Sequence, residues 1–176
     1  IYKVEHYRAC ATSAMRDAKN GAEIIQAVKQ TSGIDIEIIS GDEEATLIYE
    51  NHVAEGLDKD SAYLYIDVGG GSTELTFYEN GEMKYERSFN IGTIRLLNHL
   101  VTDEHWKEMR EEIRKNINSK KQVVAIGSGG NINKIFSMSK TKDGKPMSAA
   151  YLKKYYKEMN GLTVAERMSR YAIRED

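Results

Sequence analysis

The chain has 176 residues, enough for one domain or two small ones. Charged residues make up 30% of it and nearly cancel, leaving a net charge of -2, so no basic field argues for nucleic acid such as DNA. No apolar run approaches membrane-spanning length, no signal-peptide pattern opens the chain, and Cys10 is the single cysteine, which suits a reducing cytoplasm.

Residues 7–11 read as a short extended segment, and the small apolar neighbours of Cys10 predict a buried thiol. Thr12 or Ser13 is placed to cap a helix through Ala18. Asn20-Gly21 interrupts it, Ala22 to Thr31 is helical, and Gly33 is a C-cap residue. Ile34 to Ile39 alternates and then turns wholly apolar, a strand pattern, and Asp42 to Ala54 is a helix with acids in its first turn, which suits the helix dipole. Residues 56–60 form a polar connector and the expected domain boundary.

Three strands follow, Ala62 to Val68, Thr73 to Glu79 and Glu82 to Phe89. Asn80-Gly81 supplies the favoured two-residue hairpin turn between the last two. Gly92 to Val101 predicts a helix with Ile94, Leu97 and Leu100 or Val101 inward; Asp103 to Ile117 predicts another, with Trp106, Met109, Ile113 and Ile117 at helical spacing. A buried strand over Gln122 to Ile126 leads to a second glycine loop and a helix from Asn131 to Ser137. Ser148 caps a helix over Ala149 to Met159, and Thr163 caps one over Val164 to Tyr171. Strands in a meander followed by helices predict an α/β fold, a mixed sheet flanked by helices.

The most informative stretch is Asp67-Val-Gly-Gly-Gly-Ser-Thr-Glu74, delivered by an apolar strand. Gly69, Gly70 and Gly71 let bare N–H groups approach a ligand, and Ser72 and Thr73 add hydroxyls, so the loop reads as a phosphate-binding concavity. Two carboxylates, Asp67 and Glu74, would repel a phosphate unless a divalent cation or an activated water accompanied it. A plain tight turn is the simpler reading, but the hairpin already has its turn at Asn80-Gly81, and such a turn needs no flanking acids. The glycines match neither a P-loop nor a Gly-x-Gly-x-x-Gly dinucleotide loop.

Three further segments join it. Gly127-Ser-Gly-Gly130 opens a helix, where N–H groups of Gly129 and Gly130 suit an anion. In Ser40-Gly-Asp-Glu-Glu-Ala45 the acids read first as dipole complements; Glu43 and Glu44 are adjacent, so one of them at most faces a given cleft and can orient water. In Ala11-Thr-Ser-Ala-Met-Arg16, Arg16 is either a solvated helix residue or a bidentate phosphate ligand. Arg95, Lys134 and Lys140 are candidates for a cationic path, although scattered cations are ordinarily solvated.

In order and spacing, these four segments resemble the exopolyphosphatase and guanosine pentaphosphate phosphohydrolase (Ppx/GppA) family, over about residues 7–140. The resemblance implies a ribonuclease-H-like lobe of the actin-like ATPase superfamily over residues 61–140, the back half of a similar lobe over 1–56, and a C-terminal helical segment over 141–176. It implies a Mg²⁺-dependent cytoplasmic hydrolase that releases terminal orthophosphate from inorganic polyphosphate or pppGpp. Glu44 would activate water, Arg16 would stabilise phosphate charge, Asp67 and Glu74 would hold the metal, and Gly69 to Thr73 with Gly129 and Gly130 would bind phosphate. A homodimer is one assembly it allows.

The family's first phosphate loop has no match in this sequence, and the abrupt ends read as those of a piece of a longer protein. The 176-residue chain is therefore expected to lack processive polyphosphatase activity, and Ile34 to Ile39 to lack strand neighbours of a whole lobe. Two rivals stand beside the hydrolase: a binding module that senses polyphosphate or (p)ppGpp without hydrolysis, and an ATP-dependent kinase of the same superfamily.

Overall fold

The structure, a computed structural model, describes residues 5–44, 46–47, 60–142 and 144–173. The expected linker at 56–59 and the later part of the helix expected to reach Ala54 lie outside them. The chain divides into two compact units, Ile1–Ile126 and Gly127–Asp176.

The first unit opens with β1 (Ala9–Ala11), α1 (Ser13–Asp17), α2 (Gly21–Ser32) and β2 (Ile36–Ile38). The two strands pair in parallel, Ala9 opposite Ile36 and Ala11 opposite Ile38. Thr12 occupies the N-cap of α1 without a side-chain bond; its carbonyl instead accepts from the Met15 and Arg16 N–H groups at 3.0 Å. Gly33 closes α2 at φ 74°, where a side chain would be strained. Cys10 is exposed, not buried: β1 belongs to a sheet of two three-residue strands, too small to cover both of its faces.

The main sheet has the order β5-β4-β3-β6, from β3 (Ala62–Val68), β4 (Thr73–Glu79), β5 (Glu82–Phe89) and β6 (Val123–Ser128). β3, β4 and β5 form an antiparallel meander with Ile66 opposite Leu75, Asp67 opposite Glu74, and Glu74 opposite Ser88. Alternation then separates two faces. On one, Leu75, Phe89 and Ile91 form a buried cluster with Leu64, Ile66 and Tyr85. Trp106, Met109 and Ile113 of a helix over Asp103–Asn116 close it, each such side chain contributing about 1.5–3 kcal/mol when fully buried. The other face carries Asp67, Glu74 and Ser88.

Two helices follow β5: α3 (Thr93–Leu97) and α4 (Asp103–Asn116). α3 is half the expected length, because His99 turns to φ 55° and ends it. Ile94, Leu97 and Leu100 are exposed rather than inward; only Val101 of that set packs on the core. β6 is not a buried strand either: its residues alternate between exposed and half-buried.

The second unit is mainly helical, with α5 (Gly130–Met138), α6 (Ala149–Asn160) and α7 (Val164–Tyr171). Both expected caps form: Ser148 accepts from the Tyr151 N–H, and Thr163 and Glu166 make a reciprocal capping box. Tyr155 and Tyr171 meet edge to face at 5.7 Å.

Candidate active site

The site starts from how the glycine loop is held. The N–H groups of Thr93 and Ile94 donate to the carbonyls of Gly69 (3.1 Å) and Gly70 (2.9 Å), and Arg95 Nε donates to the carbonyl of Gly71 (2.5 Å). In a trans peptide, C=O and the next N–H point in opposite directions, and no cis bond occurs among the described residues. Three successive carbonyls turned toward α3 therefore turn the N–H groups of Gly70, Gly71 and Ser72 the other way. A row of backbone donors of this kind suits an anion without help from side-chain charge.

The hydroxyls beside it are engaged differently. Thr73 Oγ1 donates to the Ile91 carbonyl at 2.6 Å, tying the end of the loop to the chain after β5. Ser72 hydrogen-bonds Glu74. Gly71 passes so close to α1 that an added Cβ would lie 2.2 Å from Ser13 Oγ. Only hydrogen fits there.

The carboxylates lie on the sheet face away from the core. Asp67 and Glu74 are direct cross-strand partners, so their side chains leave the same face a few ångströms apart. Glu74 is 3% exposed and accepts a hydrogen bond from Ser88 Oγ at 2.8 Å. Burial is the main cause that pushes its carboxyl above the ordinary range. The bonds from Ser72 and Ser88 pull it down, and the charges of Glu44 and Asp67 push it up again.

The adjacent acids after β2 go separate ways, as their spacing requires. Glu43 pairs with Arg8 (2.6 Å), whereas Glu44 pairs with Arg16 (3.1 Å). Arg16 Nη1 also donates to the Ile39 carbonyl at 2.8 Å, which anchors the guanidinium. Glu44 reaches the face that carries Glu74 because Gly41 packs directly on Ser88; a Cβ there would meet Ser88 Cβ at 2.6 Å. Farther along, Thr46 Oγ1 donates to Glu86 at 3.1 Å.

The structure thus gathers Arg16, Glu44, Asp67, Glu74 and the Gly69 to Thr73 loop in the first unit. Gly129 and Gly130 belong to the second unit, where Gly129 caps α5 at φ 103°. Sequence reasoning placed Arg95 with surface cations and passed over Ser88. Arg95 holds a loop carbonyl and Ser88 holds Glu74. No local pattern signals Ser88: counted from the Asn80-Gly81 turn, Arg87 would oppose Glu74, and the register shift between Phe77 and Tyr78 brings Ser88 there instead.

Asp67 and Glu74 suit Mg²⁺ chemically. It takes hard oxygen donors, commonly one or two carboxylates, and completes its shell with water and phosphate oxygens. Among the described residues no group of three or more His, Cys, Asp or Glu is placed to hold a metal.

A mixed sheet with its core on one face, a glycine loop, and acids on the other face places the chain among α/β proteins of the actin-like ATPase fold. Solved structures of similar shape support this: an exopolyphosphatase from Cytophaga hutchinsonii superposes with TM-score 0.77 at 25% identity, covering 98% of this chain and 62% of that one. The Aquifex aeolicus Ppx/GppA family member superposes with TM-score 0.68 at 25% identity, covering 96% and 60%.

The chain belongs to the Ppx/GppA phosphatase family, whose model matches residues 1–173. It is 36% identical over 106 residues to the guanosine-5'-triphosphate,3'-diphosphate pyrophosphatase of Vibrio cholerae, covering 59% of this chain and 20% of that protein. The match to the Vibrio vulnificus protein of the same name is 37% over 99 residues. The aligned region spans about a fifth of the length of these curated relatives, and the chain spans about three-fifths of the solved structures.

Proposed function

We propose that this chain forms part of a cytoplasmic phosphohydrolase that releases terminal orthophosphate from inorganic polyphosphate or from pppGpp. The names of its relatives, exopolyphosphatase and guanosine-5'-triphosphate,3'-diphosphate pyrophosphatase, support the substrate class. The observation that carries the reading is the convergence of Glu44, held by Arg16, with Glu74 and the glycine loop on one sheet face.

The terminal phosphoryl group lies against the N–H groups of Gly70, Gly71 and Ser72, which need no side-chain charge to bind an oxyanion. Glu44 accepts a proton from a water as that water's oxygen bonds to the terminal phosphorus. The bridging P–O bond breaks, and the shortened chain leaves with the electron pair. Arg16 serves twice: it holds and orients the Glu44 carboxylate, and its remaining N–H groups offset charge on the equatorial oxygens. Asp67 and Glu74 would hold Mg²⁺, which would supply positive charge to offset that of the phosphates. Positioning and electrostatics suffice for this chemistry; no covalent nucleophile is needed.

The test is orthophosphate release from tripolyphosphate, long-chain polyphosphate and pppGpp with Mg²⁺, on the 176-residue chain and on the longer protein expected to contain it. Release that depends on Glu44 and stops with chelator supports the reading. Tight binding of the same compounds with no release from either protein would leave a sensor rather than a hydrolase.

A further inference from the structure

We infer that Arg95 is a positioning residue that clamps the glycine loop to α1, fixing the loop's N–H row relative to Arg16. The inference rests on the phosphate-binding reading of that loop. The first turn of α3 has backbone N–H groups to spare for the carbonyls of Gly69 and Gly70. The carbonyl of Gly71 receives the guanidinium instead, through Nε at 2.5 Å. This peptide unit is the one whose N–H belongs to Ser72, so Arg95 sets the direction of the last donor in the row.

The same guanidinium pairs through Nη2 with Asp17. Asp17 is the neighbour of Arg16 on α1, and Arg16 holds Glu44. One planar side chain therefore links the loop to the helix that carries the other phosphate-facing cation. Ser13, wedged against Gly71, is a second contact between the same two segments. An ion pair with a 59% exposed aspartate alone would contribute little. What Arg95 supplies is a fixed fork with two bonds in different directions, which a lysine cannot make.

Two readouts test the clamp. The first is amide hydrogen exchange at Thr93 and Ile94, whose N–H groups hold the loop carbonyls, without substrate; the second is calorimetric titration with tripolyphosphate and Mg²⁺. Arg95→Ala is expected to speed exchange and to weaken tripolyphosphate binding, each by about tenfold, since a small misplacement of donors is costly. Asp17→Asn, a change at an exposed position, should do the same to a smaller extent. The double variant should be no worse than Arg95→Ala alone, because both break one device.

Arg95→Lys should fail to restore either property. Restored affinity in Arg95→Lys would show that Arg95 acts as a bare charge and would overturn the clamp. So would single effects that multiply in the double variant, or exchange within about twofold of wild type in Arg95→Ala. Should Arg95→Ala not fold, Asp17→Asn carries the same two readouts. A wild-type chain that ignores tripolyphosphate contradicts the proposed function, while the exchange rates still decide the clamp.

Discussion

The two stretches that bring acids to the site are built very differently. Glu74 sits in β4, whose neighbours Thr73, Leu75, Thr76, Phe77 and Tyr78 are all buried and paired on both sides. Glu44 follows a two-stranded sheet in which Ile38 is 44% exposed, and its side chain is held by a single arginine. A metal ligand gains from rigidity, because the cation's geometry is demanding. A base that must meet a water and release a proton gains from a lighter hold, and the Arg16 pair supplies orientation without deep burial.

Core substitutions should show the contrast at its largest. Leu75→Ala is expected to lose about 2–5 kcal/mol of stability in denaturant titration, as full burial in a closed core implies. Ile38→Ala in the small sheet should lose about 1 kcal/mol or less, since much of its surface already meets water. Equal losses would break the comparison.

Gly71→Ala comes next. Its methyl group would displace Ser13 or the loop, and tripolyphosphate affinity should fall by about tenfold, with a stability loss of about 1–3 kcal/mol from overpacking. A fall in stability without a fall in affinity would make the contact purely architectural.

Glu74 gives a pH signature. Burial raises its folded-state value above that of the unfolded chain, so the folded protein keeps the proton to higher pH. Its contribution to stability is therefore full below the unfolded value and is lost as pH rises through the folded one. Glu74→Gln removes this loss, so the variant's Tm should gain on wild type as pH rises above the ordinary carboxylate range, while its phosphate release falls. A gain at acid pH instead would reverse the sign. The smallest effect belongs to Arg87, a half-buried cation shared by Glu108 and Glu112 and lying over Phe89. Arg87→Ala should cost about 1 kcal/mol or less.

The bounds of β3, β4 and β5 were legible to the residue from their apolar runs and the Asn80-Gly81 turn, but the register shift between Phe77 and Tyr78 was not. The Trp106, Met109, Ile113 face of α4 was legible from its period. α3 was not. Ile94, Leu96 and Leu97 have helical spacing, yet they lie exposed, and Ile94 spends its contact covering Gly70. Periodicity reports that a face is apolar, not that anything in the chain covers it. Arg95 was illegible because its partners, Gly71 and Asp17, are 24 and 78 residues away in sequence. The pairing of Glu44 with Arg16 rather than Arg8 likewise follows from the parallel β1–β2 crossover, which no local pattern announces.

The central claim is that Glu44 acts on water while the glycine loop binds phosphate, and Glu44→Gln separates the two most directly. Phosphate release and tripolyphosphate affinity should be measured side by side with Mg²⁺ in the protein that shows wild-type turnover. The account predicts release lower by about 10²–10⁴-fold with affinity within about threefold of wild type. Weakened affinity with turnover intact would contradict it.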